Sequence, residues 1–141
     1  MSENAAATST MVHPAIAGAA RWFWWIAGLS VINTVIATSG GGVQFVVGLG
    51  ISAVADALYR DTPATGYAID AVAVLFFFAM GYLAQRGRLW AFYVGGAVYV
   101  LDGLIYLKFQ DWMPVGFHAL ALYFIFRGAH ALRSMNAQPQ S

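Results

Sequence analysis

Residues 65–84, TGYAIDAVAVLFFFAMGYLA, decide the fold class of this chain. The stretch is twenty residues long and carries one charged side chain, Asp70. A helix rises 1.5 Å per residue, so about 20 predominantly apolar residues cross the hydrocarbon core of a bilayer. The stretch is therefore typical of a transmembrane helix.

Three further segments have the same character. They are Trp22–Thr38, Leu89–Leu107 and Pro114–Leu132, of which the first is the shortest. Tryptophans lie at or next to the ends of these segments, where aromatic side chains meet lipid headgroups. The sequence therefore predicts an all-α membrane protein, a bundle of four transmembrane helices.

A fifth apolar stretch, Val43–Tyr59, differs from these four. It follows three consecutive glycines at 40–42, and its polar residues at 44, 52, 56 and 60 recur at multiples of four. That spacing places the polar residues on one face of a helix, so the stretch is amphipathic. We expect an extra short amphipathic or re-entrant helix between spans 1 and 2.

The overall composition limits the functions that this chain can have. Of its 141 residues, 60% are hydrophobic and 9% are charged, against roughly 25% charged in a soluble domain. Lipid must therefore cover much of the surface, and a net charge of +1 gives nucleic acid little to bind. The absence of cysteine excludes thiol redox chemistry and iron–sulfur clusters. We predict no cofactor, since haem would require a second histidine facing His118.

Both ends of the chain are polar and rich in small residues. Residues 1–20 lack a positive region followed by a compact apolar core, as a signal peptide requires, and are predicted to be a disordered tail. Residues 134–141 have a similar composition and are predicted to be disordered as well. The transmembrane domain is accordingly expected to occupy residues 21–133.

The distribution of positive charge predicts how the chain is oriented. With four spans and a cytoplasmic N-terminus, five of the seven basic residues lie at or near the cytoplasmic face and two lie outside. If residues 43–59 also span the bilayer, the division becomes three against four. The positive-inside rule favours the first arrangement. We therefore predict a multi-pass protein of the inner (plasma) membrane with both termini in the cytoplasm.

Each of the four predicted spans places one polar side chain at a similar depth. These residues are Asn33, Asp70, Asp102 and His118, all roughly 6–9 Å below the outer boundary at 1.5 Å per residue. Asp56, on the polar face of the amphipathic stretch, could approach them from above. Because ionisable groups are costly inside a membrane, this layer is the candidate functional site.

Two interpretations of the layer are open. Asp70, Asp102 and His118 have the chemistry to hold a divalent metal ion, and closely spaced carboxylates can also bind a proton. Alternatively, polar side chains hydrogen-bond across helices merely to hold a bundle together, and this interpretation is favoured. Tyr99, Asp102 and Tyr106 share one face of the third span, a pattern more typical of helix packing than of a cofactor site.

Three classes of function agree with this pattern. The favoured class is a non-catalytic membrane component or accessory subunit, with lipid, a homo-oligomer or a larger membrane complex as its partners. It predicts glycine-lined helix contacts and polar groups bonded to each other. The alternatives are a small oligomeric channel or transporter, and a membrane enzyme, both using an outward-facing Asp/His cluster that opens to water.

Overall fold

The computed structural model describes residues 13–40 and 49–139, and these residues form five α-helices. They are α1 (Pro14–Thr38), α2 (Gly50–Leu58), α3 (Pro63–Gln85), α4 (Leu89–Lys108) and α5 (Trp112–Ala137). All but α2 are long and apolar enough to cross a membrane. The predicted fold class, four potential membrane spans with a short extra helix between the first two, is confirmed.

The first and last helices extend beyond the predicted domain boundaries. Helix α1 begins at Pro14, and Ile16 and Ala20 on its first two turns are buried in the core. Proline is favoured at the first helical position because its missing N–H would have no intrahelical partner there. The prediction of a disordered tail was therefore wrong for residues 14–20, and likewise for 134–137, because α5 continues to Ala137. Residues 1–12 and 140–141 lie outside the described part of the chain.

The four long helices form an antiparallel ring in the order α1, α3, α4, α5, each packed against its two neighbours. Short connections at 86–88 and 109–111 join the last three helices, with left-handed backbone at Gly87 (φ +74°) and Gln110 (φ +55°). One end of the ring therefore holds the end of α1, the start of α3, the end of α4 and the start of α5. We call this the α2 end, and the opposite one the termini end.

Glycines allow the long helices to approach each other closely. A Cβ atom on Gly81 would lie 2.5 Å from Trp24, and one on Gly95 would lie 2.6 Å from Phe23. Phe23 also packs against Phe77 in the buried core. The glycine-lined contacts predicted for a structural bundle are therefore present.

Large apolar side chains cover the outside of the ring. Val72, Leu75 and Leu101 are each about two-thirds exposed, with many other large apolar side chains at least one-third exposed. So many exposed large apolar side chains suit contact with lipid chains.

Helix α2 is inserted between α3 and α4 at the α2 end. Its N-terminus is inside the bundle, since Leu49 is 1% exposed, whereas Leu58 at the other end is 72% exposed. Nine residues reach only about 14 Å, so α2 by itself is too short to cross a bilayer. Residues 43–48 of the predicted amphipathic stretch lie outside the described residues.

Candidate functional site

Asp102 on α4 and His118 on α5 contact each other inside the bundle. The imidazole Nε2 lies 2.9 Å from carboxylate Oδ2, and the two residues are 6% and 3% exposed. The tight turn between the antiparallel helices α4 and α5 places both residues at the same depth below the α2 end. The sequence predicted that these two residues share a layer, and here they form a pair.

The hydrogen bonds of His118 define how many protons the pair holds. Nδ1 lies 2.8 Å from the carbonyl oxygen of Pro114, and because a carbonyl can only accept, Nδ1 carries a proton. The contact with Asp102 Oδ2 requires one further proton between Nε2 and that oxygen. The pair is therefore either an imidazolium with a carboxylate or a neutral imidazole with a carboxylic acid. In both forms its net charge is zero.

The carboxylate of Asp102 also caps the buried N-terminus of α2. The backbone N–H of Gly50 donates to Oδ2 at 2.7 Å and that of Ile51 donates to Oδ1 at 2.9 Å. The preceding amide, on Leu49, donates to Oγ of Ser30 on α1 at 3.2 Å. The first amides of a helix have no intrahelical partner and carry partial positive charge, so a carboxylate satisfies them well. Asp102 thereby fixes α2 in the bundle.

Aromatic rings and glycines shape the space around His118. Its imidazole stacks on the ring of Tyr99, with 4.1 Å between centroids and 16° between planes, and Tyr106 flanks it at 5.5 Å. A Cβ on Gly103 would lie 3.0 Å from the imidazole, and one on Gly50 would lie 2.9 Å from the carbonyl oxygen of Asp102. Tyr99 and Tyr106, which share one face of α4 with Asp102, both pack against His118 on α5. This agrees with the prediction that the face serves helix packing.

Asp70 on α3 does not join this pair. Its Oδ2 accepts a hydrogen bond from the hydroxyl of Thr34 on α1 at 3.2 Å, and the residue is 5% exposed. Its Oδ1 has no hydrogen-bond partner among the described residues. Within 13–40 and 49–139, no three His, Asp or Glu side chains are grouped so that they could hold a metal ion. The predicted metal ligands Asp70, Asp102 and His118 therefore do not form one group.

The remaining two predicted site residues, Asp56 and Asn33, also lie outside the Asp102–His118 pair. Burial raises the pKa of the Asp56 carboxyl on α2, and the negative charge of Asp70 raises it further. Asn33 on α1 is half-buried, and its Oδ1 has no partner in the described chain. Ser52 on α2 is buried, and its hydroxyl has no hydrogen-bond partner among the described residues. On the polar face of α2, Ser52 is therefore turned into the bundle and Asp56 is half-buried, whereas Arg60 beyond the end of the helix is exposed.

Two cavities border the Asp70 region and neither is lined by the Asp102–His118 pair. The first, which we call the Asp70 groove, has a volume of about 420 Å³ and lies between α1 and α3. The second, about 510 Å³, lies at the α2 end and contains Asp56 and Arg60. Tyr67 lines both. The lining of the Asp70 groove consists of Val31, Thr34, Val35, Tyr67, Asp70, Ala71, Val74 and Leu75.

Sequence reasoning missed three residues that bond to the site. Ser30 and Thr34 are four residues apart, so they share a face of α1 and reach α2 and α3 respectively. Pro114 precedes His118 by four residues, so its carbonyl lies directly beneath the imidazole. These spacings were visible in the sequence, but hydroxyls and a backbone carbonyl do not stand out among apolar residues.

Comparison of the chain with protein-family models, with curated proteins and with solved structures finds no match. The arguments about function therefore depend on the geometry described above.

Proposed function

We propose that this protein is a non-catalytic component of the membrane, either a self-associating bundle or an accessory subunit of a larger membrane complex. One observation carries the proposal. Both carboxylate oxygens of Asp102 and both ring nitrogens of His118 already have partners within the chain. A metal or a substrate would have to displace one of these partners, so the pair serves to hold α2 and not to perform chemistry.

The proposed location is the inner (plasma) membrane, with both termini in the cytoplasm. The basic residues support this orientation because most lie toward the termini end, as the positive-inside rule requires of a cytoplasmic face. Those toward the termini end are Arg21, Arg86, Arg88, Arg127 and Arg133, and those at the α2 end are Arg60 and Lys108.

The absence of native cysteine provides a clean test of orientation. Single cysteines introduced as Asp61→Cys at the α2 end and Ser134→Cys at the termini end can be labelled with a membrane-impermeant maleimide on intact spheroplasts. We expect labelling at 61 without permeabilisation and at 134 only after it. The reverse pattern would contradict the proposed orientation.

The state of assembly tests the proposed role itself. Membranes can be extracted directly into copolymer discs, without detergent, and the particles weighed by native mass spectrometry. We expect particles that contain two or more copies of the chain, or one copy with other subunits. Particles with a single copy and nothing else would contradict a role as a component.

One observation favours a second candidate, a small oligomeric transporter or channel. Oδ1 of Asp70 is buried without a partner in the described chain, beside a groove. Buried ionisable groups of this kind mark ligand or ion pathways in membrane proteins. No comparable observation favours the enzyme alternative.

A further inference from the structure

The carboxylate of Asp70 has an unused acceptor in a place where one is costly. The residue is 5% exposed, and α3 places it seven residues from Pro63, about 10 Å below the end of the helix. Its one hydrogen bond in the described chain comes from Thr34. A buried polar atom without a partner carries the full desolvation penalty, so a cation that pairs with this carboxylate from the groove would offset it.

No positive side chain within residues 13–40 and 49–139 forms an ion pair with this carboxylate. Among the described residues, the one ion pair within 4.0 Å is that of Asp102 with His118. Asp56 adds a second carboxylate close enough to Asp70 to affect its own protonation. The local field therefore attracts a cation and repels an anion.

The walls of the Asp70 groove are apolar and open outward. Val35 and Leu75 are 58% and 67% exposed on its rim, and Tyr67, at 45%, offers a ring on which a cation can rest. A volume of about 420 Å³ falls in the range of small-ligand sites. The groove thus combines one buried carboxylate with apolar walls that face the lipid.

We propose that the Asp70 groove binds a single-chain amphipathic ammonium compound. Its primary or secondary ammonium pairs with the carboxylate of Asp70, and its hydrocarbon part lies against Val31, Val74 and Leu75. This binding activity goes beyond the proposed structural role and does not depend on it.

The geometry disfavours two other occupants. An inorganic cation requires several oxygen ligands, whereas the lining of the groove supplies the carboxylate of Asp70 and the hydroxyls of Thr34 and Tyr67. An aminophospholipid carries its ammonium at headgroup level, and two acyl chains would have to accompany it about 10 Å down to Asp70. A single-chain amine reaches that depth with its head while its chain stays in lipid.

The first experiment measures binding of dodecylammonium to the protein in phosphatidylcholine nanodiscs, with protein-free discs subtracted. We expect Asp70→Asn to weaken binding by roughly tenfold or more, since a charge-assisted hydrogen bond is lost. Dodecanol, which has the same chain without the charge, should bind no better than it does to empty discs. Equal binding of dodecylammonium by wild type and Asp70→Asn, or saturable binding of dodecanol, would overturn the proposal.

A second variant tests the groove while leaving its carboxylate intact. Ala71→Phe places a ring in the groove, and Ala79→Phe places the same ring on the exposed surface of α3 outside it. We expect Ala71→Phe to weaken binding at least tenfold and Ala79→Phe to leave it unchanged. Unchanged binding in Ala71→Phe would place the amine elsewhere and refute the assignment.

The lipid of the disc distinguishes the source of the ammonium group. Replacing half of the phosphatidylcholine with phosphatidylethanolamine should leave the affinity for dodecylammonium within twofold. A tenfold loss would identify the aminophospholipid as the competing occupant and refute the single-chain ligand. Loss of dodecylammonium binding in sodium chloride, but not in choline chloride of the same ionic strength, would likewise refute it in favour of an inorganic cation.

Discussion

Asp102 and Asp70 are two aspartates on neighbouring helices, equally buried and at a similar depth, yet their surroundings differ. Asp102 accepts from two backbone amides and contacts His118, so each of its oxygens has a partner. Asp70 accepts from Thr34 alone, and its second oxygen has no partner in the described chain. Burial and depth are therefore poor guides to the role of a membrane carboxylate. Its hydrogen-bond partners separate a structural group from a candidate binding group.

The largest expected effect comes from removing the satisfied carboxylate. Asp102→Ala leaves His118 and the amides of Gly50 and Ile51 buried without their partner, which should cost about 3–5 kcal/mol in the free energy of unfolding. Asp70→Ala removes a carboxylate that is poorly satisfied and should cost less than about 1 kcal/mol. Unfolding in mixed micelles with increasing dodecyl sulfate, followed by circular dichroism, measures both.

Asp102→Asn is the matched control for this comparison. Its amide can still accept from Ile51 and donate to His118 Nε2, so only the amide of Gly50 loses its acceptor. The variant should therefore be more stable than Asp102→Ala. Equal losses in Asp102→Ala and Asp70→Ala would mean that partner number does not distinguish the two aspartates.

The docking of α2 depends on the absence of a side chain at Gly50. A Cβ there would lie 2.9 Å from the backbone carbonyl oxygen of Asp102, which cannot move aside as a flexible side chain would. We expect Gly50→Ala to cost about 2 kcal/mol in the same unfolding assay. Gly116→Ala on α5 is the control, because nothing lies within 4 Å of its added methyl group. A loss in Gly116→Ala as large as in Gly50→Ala would point to a general effect of alanine.

Double-mutant cycles sharpen the comparison at the level of single contacts. For Asp102→Ala with His118→Ala we expect a coupling energy of about 1.5 kcal/mol, since the two side chains share a proton. For Asp70→Ala with Thr34→Val, one neutral donor contacts the carboxylate, and about 0.6 kcal/mol is expected. Coupling in the second cycle that equals or exceeds the first would show that Asp70 is also a structural group.

The length and polarity of the segments were enough to predict the four long helices. Depth within the bilayer could also be counted, because each residue adds 1.5 Å along a helix. That count gave Asp102 and His118 a common depth, and the structure shows that the two are in contact. Counting could not show that Asp70 lies apart from this pair. The direction of a side chain turns by about 100° per residue along a helix, and its partners depend on which helices are neighbours.

The position of α2 could not be obtained from its own pattern. The sequence left an interfacial and a re-entrant helix both open, and in the structure Ser52 on its polar face is buried and Asp56 is half-buried. Its N-terminus is buried because Asp102 and Ser30, on two other helices, supply acceptors there. The early start of α1 is different, since the proline at position 14 was a local signal in the sequence.

The smallest expected effect is a change in the pKa of Asp56, which depends on the charge of Asp70. Burial raises the pKa of Asp56 and the charge of Asp70 raises it further, so Asp70→Asn should lower the pKa of Asp56 without returning it fully to its ordinary value. Because the folded pKa is raised, protonation of Asp56 contributes stability below the ordinary value of 3.8, and this is lost as pH rises through the folded pKa. Carbon-13 NMR of labelled aspartate side chains in micelles follows the titration directly. An unchanged pKa of Asp56 in Asp70→Asn would mean that the two carboxylates are not coupled.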